Sequence, residues 1–170
     1  MRKWEKDVET FLAMLDDEKR FLYRQLIKIL VKYEYVPWHK ERIKGYVLSF
    51  KNFAHNRVIA TMGLREGSAE PFFGLRFSSC ADYSEKFARV IHERIASPNN
   101  RLAKCAECRY CKGDKFVYTY RFPDGETKAA CGAFILEIPD ISIDDLEEIE
   151  KLVKEQHEYF MKYAIKGDIS

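Results

Sequence analysis

Cys105, Cys108 and Cys111 form a Cys-x-x-Cys-x-x-Cys run, and Cys131 follows beside Gly132, so four of the five cysteines fall in one short stretch. Thiolates at that spacing can converge on a single ion that prefers soft ligands, most simply a tetrahedral zinc with four sulfurs. The two residues between Cys105 and Cys108 allow a tight turn that aims both sulfurs inward. Cys131 lies beyond a hairpin turn that brings it back toward Cys111. The expected cofactor is one structural zinc per chain on Cys105, Cys108, Cys111 and Cys131. Two alternatives stay open. One is an iron–sulfur cluster, since the same run occurs in ferredoxin-type ligation, although the proline that usually follows is missing. The other is a set of cysteines without metal. A catalytic zinc needs an open position and a general base, a part Glu107 can take only if one cysteine is not a ligand. Cys80 precedes a helix start, where a helix N-terminus lowers a thiol pKa. No His stands near it in sequence as a partner, and an inert, half-buried thiol is expected.

A second group is Tyr35, Trp38, His39 and Tyr46, which can line an aromatic small-molecule pocket with a titratable group in it. Its competing reading is a helix-to-strand connection that covers a sheet. His55 in a turn, and His92 and His157 on helices, read as surface histidines. No catalytic residue is assigned, because the chain carries no Ser/His/Asp, His-Glu-x-x-His or Gly-rich phosphate signature. Arg101, Lys104, Arg109, Lys112 and Lys115 surround the cysteines and would offset the negative charge of a four-thiolate zinc. Across the chain acids and bases interleave to a net charge of +2, so no phosphate footprint stands out and nucleic-acid binding is expected to be weak at most.

These groups must be carried by a chain of 170 residues, 46% hydrophobic, 33% charged and 14% aromatic, which is globular composition and argues against disorder. At that length roughly 70% of the unfolded surface can be buried, so the core need not depend on a metal. No apolar run reaches membrane-spanning length, and Met1 to Asp7 has no apolar signal core. A cytoplasmic setting is expected. There thiols stay reduced, which favours a metal site over disulfides.

Periodicity supplies the elements. Trp4, Val8, Phe11, Leu12 and Leu15 predict one helix, and Leu22, Leu26, Ile29, Leu30 and Tyr33 a second, begun by the carboxylates of Asp16 to Glu18 and ended before Pro37. Alternation then predicts an antiparallel three-strand meander through Tyr46–Phe50, Val58–Leu64 and Phe73–Phe77. A helix starting at Asp82 buries Phe87, Val90, Ile91 and Ile95 and stops at Ser97-Pro98. After the cysteines a hairpin turns at Pro123-Asp124-Gly125, its return strand running to Ile138. Ser142 caps a last helix with the stripe Leu146, Ile149, Val153, Gln156, Phe160 and Tyr163. The predicted fold is a single α+β domain over residues 1–170. It has a helical segment over 1–36, an antiparallel sheet made of the meander plus the C-terminal hairpin, and a four-cysteine metal-binding loop within 101–138.

Cys105, Cys108, Tyr118, Cys131 and Phe134 resemble the pattern of small bacterial proteins classed as domains of unknown function, in which close cysteines precede a Tyr-rich strand. The resemblance covers about residues 105–138 and implies no activity. The expected function is a zinc-stabilised module that binds a small molecule or a protein. The alternatives are a regulatory nucleic-acid-binding protein that uses the basic cysteine loop, and a metal- or thiol-dependent enzyme.

Overall fold

The computed structural model describes residues 1–98 and 117–164, with His39, Glu41, Tyr163 and Ala164 described in their backbone alone. Helix α1 spans Lys3–Ala13 and α2 spans Asp17–Lys32. Glu5 accepts from the Arg2 backbone N–H at 2.6 Å, and Asp16 caps α2 by accepting from the Lys19 N–H at 2.9 Å. Each cap satisfies a donor that has no partner within the helix. α2 ends with Glu34 in the left-handed region (φ 63°). This turn lets the N–H groups of Glu34 and Tyr35 donate to Val31 and Leu30. It also swings Tyr35 into the core, where it is fully buried beside Leu30.

Four strands follow, β1 (Val36–Glu41), β2 (Gly45–Asn52), β3 (Arg57–Arg65) and β4 (Pro71–Leu75), each antiparallel to the last. The meander is as expected, with Leu48, Met62 and Phe73 in one cross-strand row, and Phe50, Ala60 and Leu75 in the next. All six are buried, so register follows from the side chains that must leave water. β1 corrects the connection expected over residues 37–40: this segment is an edge strand. Pro37 has no N–H to give a ladder and is tolerated there, and a bulge between Pro37 and His39 breaks the alternation that would have revealed it.

Helix α3 spans Glu85–Ala96, with Ser84 rather than Asp82 at its N-cap. Ser84 gives both its N–H and its hydroxyl to the Glu148 carboxylate at 2.6 Å, tying the helix start to the last helix. The hairpin is formed by β5 (Val117–Arg121) and β6 (Thr127–Cys131), and it packs on α3. Its return strand does not continue to Ile138. The chain turns at Gly132, whose carbonyl accepts from Arg76 Nε at 2.7 Å and Ser78 Oγ at 2.9 Å. It then adds β7 (Leu136–Glu137) to the open edge of β4. An unpaired edge strand leaves a row of backbone groups without partners, and the sheet takes these two residues from the hairpin. The sheet order is β1-β2-β3-β4-β7, with β5-β6 as a separate pair.

A 3-10 turn over Ile143–Asp145 leads into α4 (Leu146–Ala164). α4 buries Ile149, Leu152, Val153, Gln156 and Phe160. The polar interruption at Gln156 is satisfied: its Oε1 accepts from the Ser79 N–H at 2.9 Å and its Nε2 donates to Ser79 Oγ at 3.1 Å. The described chain is α+β, with a five-stranded antiparallel sheet, a two-stranded one and four helices. No described helix is long and apolar enough to cross a membrane.

Candidate functional site: an aromatic cleft at the sheet edge

Packing of α1 against β1 leaves a cleft of about 660 Å³ along the sheet edge. Lys3, Trp4 and Asp7 come from α1, Trp38 and Lys40 from β1, and Phe53 from the β2–β3 turn. Trp4 and Trp38 are the two tryptophans of the chain, and here they line one space. Trp38 is 51% exposed and Phe53 65%, so large aromatic faces meet solvent where ordinary packing would hide them. The bulge that hid β1 in the sequence places Trp38 as the extra residue between Pro37 and His39. The Lys51 ammonium stands 4.4 Å from the Trp38 ring centroid and 5.4 Å from that of Phe53, a cation held against two ring faces. Asp7 is the one acid among the described lining residues, and it is ion-paired with Lys40.

Of the residues expected to line an aromatic pocket, Trp38 lines this cleft, and Tyr35 and Tyr46 do not. His39 pairs with Ser49 across the ladder. Tyr46 is buried, donates to the Asp7 carbonyl at 3.1 Å and so pins α1 to the sheet. It faces a different space, of about 500 Å³, with Met14, Arg42 and Leu64. Tyr35 lies in the core. Trp4 and Phe53 escaped sequence reasoning: Trp4 reads as one apolar position of a helix stripe and Phe53 as a turn residue. Two aromatic residues at the ends of apolar elements were the available signal.

Behind the sheet Tyr35 joins two histidines. Its hydroxyl is 3.0 Å from His55 Nε2 and 3.3 Å from His157 Nδ1. His55, expected at the surface, has no exposed area. The β2–β3 turn aims it inward: Asn52 accepts from the Ala54 N–H at 2.8 Å and donates to the Tyr33 carbonyl at 2.9 Å, while Asn56 takes φ 61°. Burial, then the His157, Arg57 and Arg76 charges, lower the His55 pKa to about 4. Burial also lowers that of His157, opposed by Glu34 and Glu158. Both rings are therefore neutral near pH 7. His55 Nδ1 has no partner from another residue. The Tyr35 hydroxyl, which can donate one hydrogen bond and accept others, thus bridges one nitrogen of each ring. His92, the remaining helical histidine, packs its ring on Tyr120 at 4.7 Å and Phe122 at 5.3 Å.

Cys105, Cys108 and Cys111 lie outside the described residues. Cys131 is half-buried at the hairpin base, its Cα opposite Val117. Among the described residues no three His, Cys, Asp or Glu side chains gather as a metal site. The Cys80 thiol donates to the Leu152 carbonyl at 3.4 Å, and burial pushes its pKa up to about 12. It stays protonated and inert, against the lowering that a helix N-terminus would bring. The chain matches no family model, no curated protein and no solved structure.

Proposed function

We propose that this chain is a small-molecule-binding module whose site is the cleft between α1 and the edge strand β1. The observation that carries this reading is the convergence of Trp4, Trp38 and Phe53 on one space with two of the rings half-exposed or more. Aromatic faces with a few placed charges are what a ligand pocket needs: apolar area supplies affinity and the charges fix orientation. A zinc on Cys105, Cys108, Cys111 and Cys131 is the accessory in this reading. The donor set is soft and suits zinc. Cys131 also lies opposite Val117, six residues past Cys111, which supports a common site at the hairpin base. The zinc would hold the hairpin and the loop before it, remote in role from the cleft.

The two tryptophans give the test. In the 15N-labelled full chain their indole N–H groups report on the cleft directly. Small aromatic compounds should shift one or both signals, and Trp38→Ala should abolish binding while the amide spectrum stays folded. A library that leaves both indole signals unmoved would remove the cleft as a site.

A further inference from the structure

The charges around the cleft narrow the class of ligand, an inference that rests on the binding reading above. Lys3 and Lys40 line it, and Lys51 holds its ammonium against the outer rings of Trp38 and Phe53. Among the described lining residues one acid stands against these three, Asp7, already neutralised by Lys40. A ligand lying on the two ring faces therefore meets an excess of positive charge at its edge. A stacked cation would compete with Lys51 for the same negative ring faces. A neutral ring would gain the stacking alone. We infer that the cleft takes a planar aromatic ring bearing a carboxylate or phosphate: the ring takes the Trp38 and Phe53 faces from the Lys51 ammonium, which moves to the ligand's edge and there, with Lys3, serves as counterion to the anion. Asp7 gives this selectivity a second part, since an anion placed beside it is repelled unless Lys40 keeps its ion pair. The anion thus belongs on the Lys51 side of the cleft, away from Asp7.

Three matched probes test this: 2-naphthoate, 2-naphthylmethanol and cyclohexanecarboxylate, titrated into the labelled full chain with the two indole N–H signals as readout. At low salt 2-naphthoate should bind about tenfold more tightly than 2-naphthylmethanol, and at about 0.5 M salt that advantage should shrink to about threefold or less. Cyclohexanecarboxylate, with the charge but no plane, should be at least about tenfold weaker than 2-naphthoate. Lys51→Gln should bring the two naphthalene probes together without loss of the neutral one, and 2-naphthyl phosphate should follow 2-naphthoate. Equal binding of 2-naphthoate and 2-naphthylmethanol would overturn the anion and leave the cleft standing. Equal binding of the two carboxylates would overturn the stacking. If no probe moves either indole signal, the binding reading itself falls.

Discussion

The Tyr35 hydroxyl sits 3.0 Å from Nε2 of a fully buried His55 and joins the β2–β3 turn to the strand entry after α2. His157 on α4 closes the link at 3.3 Å, so three separate elements share one oxygen. Removing that oxygen leaves a buried imidazole nitrogen without a partner, which costs the full desolvation of the group. Tyr35→Phe should destabilise the protein by about 1–3 kcal/mol, read as a lower denaturant midpoint with an unchanged slope. His157→Ala, on a half-buried residue, should cost less. A Tyr35→Phe protein with unaltered stability would show that the hydroxyl does not link the elements.

The same cluster makes stability depend on pH. Burial holds His55 neutral with its pKa lowered to about 4, below its value in the unfolded chain. Between that value and about 6.5 the unfolded state binds more protons, so stability is fully present above about pH 6.5 and falls as pH drops toward 4. The shift corresponds to about 3 kcal/mol at its full extent. His157 is lowered as well and adds in the same direction. His55→Phe should flatten the decline between pH 7 and 5 in chemical denaturation curves. An undiminished slope in that variant would assign the decline to other groups.

A purified full chain should carry about one zinc, measured by elemental analysis, and Cys131→Ser should lower that content. Hydrogen exchange after chelation should show faster exchange in β5 and β6, with protection kept through β2, β3 and β4, whose buried rows do not involve the cysteines. Protein without metal, or with iron and visible absorption, would reject zinc. Loss of protection throughout the meander would mean that the metal holds the core itself.

At Gly63 the β2 and β3 backbones approach so closely that a methyl group would meet the Tyr46 carbonyl oxygen at 2.2 Å and Val47 Cα at 2.7 Å. Backbone atoms cannot turn aside as a side chain can. Gly63→Ala should therefore cost more than about 2 kcal/mol, seen as a large drop in Tm. Gly67, in an open turn at φ 76° with nothing within 4 Å of where a Cβ would sit, is the comparison: Gly67→Asn, a side chain that tolerates the left-handed region, should cost much less.

Tyr118, fully buried, accepts from the Phe77 N–H at 3.2 Å and donates to the Phe134 carbonyl at 2.7 Å. It thus ties the hairpin both to the chain after β4 and to the approach of β7. Tyr118→Phe should cost about 1–3 kcal/mol and should raise exchange of the Ile138 N–H, which donates to Phe73 beside β7. Unchanged exchange at Ile138 would show that β7 pairs without this tie.

Helices α1, α2, α3 and α4 and the meander were legible in the residues alone, because their apolar positions recur at the period of the element that buries them, and that period is a local property. Short-range spacing likewise displayed the cysteine run and the Pro123-Asp124-Gly125 turn. Other features took the tertiary structure to decide. β1 is hidden by Pro37 and by the bulge at Trp38, and it exists because β2 offers it a ladder. β7 is two residues long, too short for any pattern, and forms because β4 would otherwise present an open edge. His55 faces inward because Asn52 shapes its turn and Tyr35 waits across the chain to bond it. Trp4 and Trp38 meet because α1 docks on the edge strand, bringing two rings far apart in sequence to one cleft. Local pattern specifies which side chains must leave water, whereas their neighbours there depend on how the elements pack, a matter of contacts between residues that the sequence keeps apart.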